Sequence, residues 1–165
     1  MATPRDIRRL ALLALYQFDA LKGEDTPSIR ESIRASLENL EALEEEGLTF
    51  ADPKRQFSDA EKDKAVAIAE GAWNARDDAD AVFAELAPEW PAYRMPAVDR
   101  AVLRLCHHEM HTGSPPKAVV NEGVELAKQF STKDSPGFVN ALLDKVLKRV
   151  LSDTQAEQPA PEPTE

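Results

Sequence analysis

Hydrophobic residues recur along this chain at spacings of three and four, which is the period of an amphipathic α-helix. No segment keeps the strict alternation of a β-strand. Helix-start signals, in which Ser or Thr precedes Pro or stands three residues before an acid, occur at four places: Thr3-Pro4, Thr26-Pro27, Ser58 with Glu61, and Ser135-Pro136. Two more helices are predicted over residues 97–111 and 117–130. The pattern predicts an all-α protein, a compact bundle of six to seven helices.

Glycine and proline predict where these helices end. The first helix should run to about Leu21 and stop before Gly23, and the second should end at Gly47. Residues 47–57 are predicted to form a loop. The apolar positions of residues 58–87 continue without interruption, and this segment is predicted to be one helix.

The element pattern also predicts the domain organisation. We expect a single domain over residues 1–151, made of two small helical subdomains at about 1–87 and 88–151. The last helix should end near residue 151. The tail, residues 152–165, is acidic, rich in Pro and Glu and without an apolar stripe, so it is predicted to be disordered.

The net charge of −10 is unevenly distributed. Residues 1–19 and 97–151 are slightly basic, whereas residues 20–96 and the tail carry the acidic excess. A contact with phosphate would therefore be local to the two basic segments. The acidic middle suits a basic protein partner, and the alternative is a solvated helix face.

Sequence features that bear on location point to the cytoplasm. The longest apolar run, residues 10–16, has seven residues, short of the roughly 20 that a membrane helix needs. Polar residues follow this run where a signal peptide would have a small-residue cleavage site. The single cysteine, Cys106, cannot form an internal disulfide, which favours a reducing compartment.

Signatures of catalysis are weak. The chain has no glycine-rich phosphate-binding motif, and the zincin order of two histidines around a glutamate is absent. His107 and His111 are four residues apart on a predicted helix, which allows a two-histidine metal site, but surface or core-edge histidines are the favoured interpretation. Cys106 lies at an apolar helix position, which disfavours a reactive thiolate. We expect no catalytic residue, metal or cofactor.

The first helix carries basic and aromatic residues on one side. Arg5, Arg9 and Tyr16 fall on one stripe within about 40°, with Arg8 on the neighbouring stripe. Guanidinium groups pair with phosphates, and an aromatic ring can stack on an unpaired base. This arrangement suits single-stranded RNA. The alternative is an ordinary exposed helix start with Tyr16 half-buried.

The last helix adds a second aromatic outside its apolar stripe. Phe138 stands in the first turn, about 110° from the centre of the stripe and shortly after Lys133 and Asp134. Free backbone N–H groups at a helix start favour an anion, and the ring would be a platform for a base. The alternative is that Phe138 packs on a neighbouring helix.

Four sequence runs resemble the NusB family. They are RRLALLALY at residues 8–16, VDRAVLRL at 98–105, AVVNEGVELAKQF at 118–130 and FVNALLDK at 138–145. The order and spacing of the last two are specific together. The resemblance is strong over residues 97–148 and looser over 60–96.

The resemblance implies a helical fold of two small subdomains. It also implies binding to boxA RNA of ribosomal RNA leaders, pairing with the ribosomal protein NusE, and antitermination together with elongating RNA polymerase. Carried over by position, the implied RNA-binding residues are Arg5, Arg8, Arg9, Tyr16, Lys133, Asp134 and Phe138. Asn121, Glu122 and Asn140 are expected to satisfy buried polar groups.

Two other functions and the oligomeric state stay open at this point. A protein scaffold that does not contact RNA would explain the acidic middle. NusB-like domains are also fused to ribosomal RNA cytosine methyltransferases, but this chain lacks room for a cofactor-binding domain. A homodimer that covers the RNA face is an alternative to a monomer.

Overall fold

Seven α-helices and one 3-10 helix, without a strand, make up the part of the chain that the computed structural model describes, residues 3–37 and 57–157. They are α1 Pro4–Ala20, α2 Thr26–Leu37, α3 Asp59–Asn74, α4 Arg76–Leu86, the 3-10 helix Ala92–Arg94, α5 Ala97–His111, α6 Pro116–Phe130 and α7 Ser135–Glu157. The prediction of an all-α bundle of six to seven helices is confirmed. The predicted helix end at Gly47 and all but the last residue of the predicted loop lie outside the described residues.

Capping side chains start α1 and α3 where the sequence predicted. The Thr3 hydroxyl accepts the Asp6 N–H, and the Asp6 carboxylate accepts the Thr3 N–H, which closes a capping box at α1. Ser58 and Glu61 close the same box at α3. After α1 the chain turns at Gly23, whose φ is +76°. A Cβ there would lie 2.3 Å from the Trp73 Nε1, so only glycine allows this turn to pack against α3.

Helix α5 lies at the centre of the bundle and contacts α1, α3, α4, α6 and α7. Residues 101–107 are buried without interruption, so this helix is covered on all sides. The charged side chains Asp99, Arg104 and Glu109 are buried with it. Each of them needs a partner on a neighbouring helix, since an unpaired buried charge is strongly destabilising.

The prediction of one continuous helix over residues 58–87 is wrong. The chain breaks at Ala75, whose N–H is shared between the Gly71 and Trp73 carbonyls, and α4 begins at Arg76. The Arg76 guanidinium donates to the Trp73 carbonyl at 2.8 Å and satisfies the broken end. Because no proline or glycine stands at the break, the local pattern contained no signal for it.

The last helix is longer than predicted. Residues 152–157, expected to belong to a disordered tail, continue α7 as helix to Glu157, because nothing in this polar stretch interrupts a helix that packing has already started. Residues 158–165 lie outside the described residues. One buried cluster contains apolar side chains from both expected subdomains, and the division at residue 87 stays a prediction.

A buried histidine lies on α5 where α4 crosses it. His107 is 5% exposed, Phe83 packs edge-on against its ring at 5.9 Å between centroids, and the His111 ring stacks on it at 4.1 Å. Burial, reinforced by the neighbouring His111, lowers the pKa of His107 to about 4, although Asp78 and Asp80 oppose the shift.

Acid should destabilise this fold through His107. The unfolded chain takes up a proton near the ordinary pKa of 6.5, whereas the folded ring stays neutral to about 4. The contribution of the neutral ring is complete above pH 6.5 and is lost toward pH 4, by up to about 3 kcal/mol. Urea unfolding should show that wild type loses more stability over this window than His107→Leu does. Parallel pH profiles of the two proteins would contradict the prediction.

Candidate nucleic-acid interface

Arg8 of α1 does not lie on an open surface, contrary to the expectation from the sequence. Its side chain is 16% exposed, and its Nε donates to both carboxylate oxygens of Glu109 on α5, at 3.0 and 2.9 Å. Because the Glu109 carboxylate is buried, it needs this cation. Arg8 therefore joins α1 to α5.

Arg9 is held in a similar way. Its side chain is 14% exposed, its Nε donates to the Gln129 Oε1 at 2.9 Å, and its Nη1 lies 3.2 Å from the Asp6 Oδ1. Asp6, which the sequence placed among the arginines, is buried. Arg9 thus connects the first turn of α1 to the end of α6.

Arg5 is the exposed arginine of this group. Its side chain is 52% exposed, and its Nε and Nη2 each donate to Glu122 at 3.0 Å in a two-pronged pair. The hydrogen bond and charge of Glu122 raise the pKa of Arg5. The same hydrogen bond, with the charges of Arg5, Arg8 and Arg9, lowers the pKa of Glu122 against the effect of its burial.

The arginine cluster is therefore internally neutralised. Three guanidiniums, those of Arg5, Arg8 and Arg9, face three carboxylates, those of Asp6, Glu109 and Glu122. Such a cluster exerts little long-range attraction on a polyanion. The exposed part of Arg5 still presents N–H groups that Glu122 does not use.

A polar hollow brings the beginnings of α1 and α7 together. Arg5 lines it with Pro136 and Gly137, and its volume is about 540 Å³. Asn121 and Asn140 also line it and are exposed, so the expectation that they satisfy buried polar groups is wrong. These amides face outward because their helices bury the opposite sides.

The start of α7 is fixed by a buried carboxylate. The Asp99 side chain on α5 accepts hydrogen bonds from the Ser131 and Ser135 hydroxyls, and Ser135 also bonds the Thr132 hydroxyl at 2.9 Å. Asp99 is 3% exposed, so these hydroxyls replace the water it has lost. This network orients the loop that carries Lys133 and Asp134, both of which are exposed.

Phe138 lies in an aromatic hollow on the other side of the α7 start. Its ring meets Trp90 edge-on at 6.4 Å between centroids and 64° between planes. The hollow has a volume of about 350 Å³, with Met95 and Pro96 among its apolar walls and Asp134 at its edge. The sequence did not single out Trp90, because three prolines made its segment look like a mere interruption. One signal for Trp90 was available: it is a large aromatic residue in a loop, where the hydrophobic pattern of the core does not require one.

Tyr16 lies in a third, smaller hollow. It is 46% exposed and shares an apolar hollow of about 190 Å³ with Leu13, Val98 and Phe130. Because Val98 is followed by Asp99 at the edge of the aromatic hollow, the start of α5 links the two hollows. The stripe from Arg5 to Tyr16 thus runs beside the starts of both α5 and α7.

The remaining candidates for chemistry lie elsewhere. Burial raises the pKa of the Cys106 thiol far above its usual range, so it carries no reactive thiolate. Within residues 3–37 and 57–157, no three His, Cys, Asp or Glu side chains gather as a metal site would require. Also within these ranges, no helix is long and apolar enough to cross a membrane.

Comparison with known proteins gives one family. The NusB family model matches residues 5–148. The transcription antitermination protein NusB of Symbiobacterium thermophilum is 35% identical, with 93% of this chain and 95% of that protein covered. The NusB of Herpetosiphon aurantiacus is 34% identical, with 89% and 91% covered.

Solved structures of this family share the fold. T. maritima NusB superposes with a TM-score of 0.68 at 27% identity, covering 96% of this chain and all of that one. A complex of antitermination factors NusB and NusE with double-stranded RNA contains a chain with a TM-score of 0.63 at 22% identity, covering 88% and 96%.

Neutralising Arg8 should cost more stability than neutralising Arg5. Arg8→Met leaves the buried Glu109 charge unpaired, at a cost of about 3–5 kcal/mol, whereas Arg5→Met breaks a largely exposed pair worth less than about 1 kcal/mol. Urea unfolding of the two variants measures both losses. Adding Glu109→Gln to Arg8→Met should restore part of the stability. Equal losses in the two single variants would show that Glu109 does not depend on Arg8.

Proposed function

Because this chain belongs to the NusB family, we propose that it is an RNA-binding transcription antitermination factor that holds a boxA-type single strand and is not an enzyme. The observation that carries the proposal is the surface beside the α7 start. There, a polar hollow with an arginine and an aromatic hollow adjoin the same helix turn. The polar hollow suits phosphates, and the aromatic hollow suits unstacked bases.

The roles of the RNA-binding residues follow from their exposure and, for the partly buried Phe138, from the hollow that it lines. Arg5 and Lys133 reach solvent and would contact phosphates, and Tyr16 and Phe138 would stack on bases. Asp134 would lie at the edge of the bound strand. Arg8 and Arg9 would act mainly by holding α1 in position, because carboxylates and an amide already occupy their guanidiniums.

We also propose that the chain acts together with NusE on RNA polymerase during transcription of ribosomal RNA leaders. The complex of related factors holds NusB, NusE and RNA together, which supports this assembly. The first turn of α4 is acidic and exposed at Asp77 and Asp78, which suits a basic ribosomal protein. A basic partner would supply the positive charge that the neutralised arginine cluster lacks.

Removing the Phe138 ring should weaken RNA binding. Phe138→Ala and Phe138→Leu are each expected to lower the affinity for a single-stranded boxA RNA on the order of tenfold, because stacking is lost. Leu151→Ala, another partly exposed apolar residue of α7, is the matched control and should bind as wild type does.

Filter binding with and without NusE measures these affinities, and circular dichroism confirms that each variant is folded. Wild-type affinity in both folded Phe138 variants would reject this RNA face. If wild type itself binds no RNA even with NusE, the proposed function fails and a protein scaffold is favoured.

Neutralising Glu122 should strengthen RNA binding. Glu122→Gln removes the carboxylate that competes with phosphate for Arg5, so the affinity should rise several-fold. The slope of log affinity against log salt concentration should also become steeper by about 0.7, as expected for one more phosphate contact with a single strand. Glu85→Gln, which removes an equal charge from an exposed pair with Arg149, is the control. A lower affinity of Glu122→Gln would show instead that Glu122 positions Arg5 for RNA.

A further inference from the structure

Arg94, in the 3-10 helix before α5, differs from the other arginines whose side chains are described. The arginines of α1, α2, α5 and α7 each pair with a carboxylate, and Arg76 donates to a backbone carbonyl. The Arg94 guanidinium has neither an ion pair nor a hydrogen bond with any residue in the described ranges. Its one ring contact is with Trp90, 5.7 Å from the guanidinium carbon to the ring centroid. Arg94 is therefore an exposed cation that is available to an external anion.

Trp90 is the exposed member of the two tryptophans. It is 49% exposed, whereas Trp73 is 9% exposed beneath the turn at Gly23. The Phe138 ring contacts the Trp90 ring at 64° between planes and the Arg94 guanidinium lies over it at 5.7 Å, and about half of the residue still reaches solvent. An indole left half in water gains free energy when a flat apolar surface covers it.

The chemistry of this pair matches one nucleotide. A base stacks on an indole face whatever its sequence, and a guanidinium binds phosphate. The hollow that Trp90 lines is mainly apolar and has a volume of about 350 Å³, which is the size range of small-molecule sites. Hydroxyl and carboxylate groups of Thr132 and Asp134 stand among its lining residues, where the hydrogen-bonding edge of a base needs partners.

We propose that Trp90 and Arg94 form a nucleotide-binding unit of this chain. The base of one nucleotide of the RNA strand stacks on Trp90 beside Phe138, and its phosphate pairs with Arg94. This inference rests on the proposed RNA-binding function and extends the RNA face from α7 onto the segment between α4 and α5. The two residues are separated by one short turn, so they hold the base and the phosphate of the same or the adjacent nucleotide.

Binding measurements with the full chain and a single-stranded boxA RNA test the unit. Trp90→Ala should lower the affinity on the order of tenfold, and Trp90→Phe, which keeps a smaller ring, should lower it less. Arg94→Gln should make the dependence of log affinity on log salt shallower by about 0.7. Two controls should bind as wild type does: Tyr93→Ala, an adjacent exposed aromatic outside the hollow, and Arg149→Gln, an exposed arginine that already has a carboxylate partner.

Tryptophan fluorescence tests for direct stacking, because RNA binding would not change the emission of a Trp90 that had only a structural role. RNA stacked on Trp90 should quench the emission of wild type. The Trp90→Phe variant reports only the buried Trp73, and its emission should not respond to the same RNA. Circular dichroism shows that each variant is folded before it is compared.

The outcomes separate this inference from the function on which it rests. If Phe138→Ala loses affinity while both Trp90 variants bind as wild type and RNA leaves the wild-type emission unchanged, the nucleotide unit is rejected and the RNA face at α7 stands. If wild type binds no RNA with or without NusE, both are rejected. Quenching by a double-stranded RNA but not by the single strand would also overturn the assignment, because paired bases cannot stack on the indole.

Discussion

The burial of charged side chains on α5 is the constraint on which the rest of the structure depends. This helix is covered on all sides, so each of its charges needs a partner from another element. The partners come from α1, α4, the loop before α7 and the first residue of α7: Asp99 with Ser131 and Ser135, Arg100 with Asp19, Arg104 with Asp80, and Glu109 with Arg8. The pairs set the positions of these helices around α5, which apolar packing alone would leave freer to slide.

The same constraint shapes the surface that we propose for RNA binding. Glu109 pairs with the guanidinium of Arg8, and Asp6 and Gln129 bind that of Arg9. Two of the three arginines of α1 therefore stabilise the fold and are not free to bind a ligand. Arg5 is left exposed and still paired with Glu122. The basic residues of the first helix therefore form an electrically neutral surface in the folded protein. A proposed RNA partner must also be bound by the neighbouring cations and aromatic rings.

The start of α7 is where the core and the proposed interface meet. Asp99, buried at the base of α5, holds the hydroxyls of the loop before α7 and so fixes the turn that carries Phe138. The polar hollow with Arg5 lies on one side of that turn and the aromatic hollow with Trp90 on the other. A rigid turn between two unlike hollows suits a strand that must place phosphates and bases at the same time.

Local sequence signals predicted the beginnings of the described α-helices other than α4, the extents of α5 and α6, and the candidate residues Arg5, Tyr16 and Phe138, because periodicity and capping depend on residues within a few positions of each other. Packing between distant helices and loops set the break at Ala75, the burial of Arg8 and the contact of Trp90 with Phe138. The reason is physical: Arg8 and Glu109 are 101 positions apart, and whether a guanidinium meets a carboxylate or water depends on how distant helices pack.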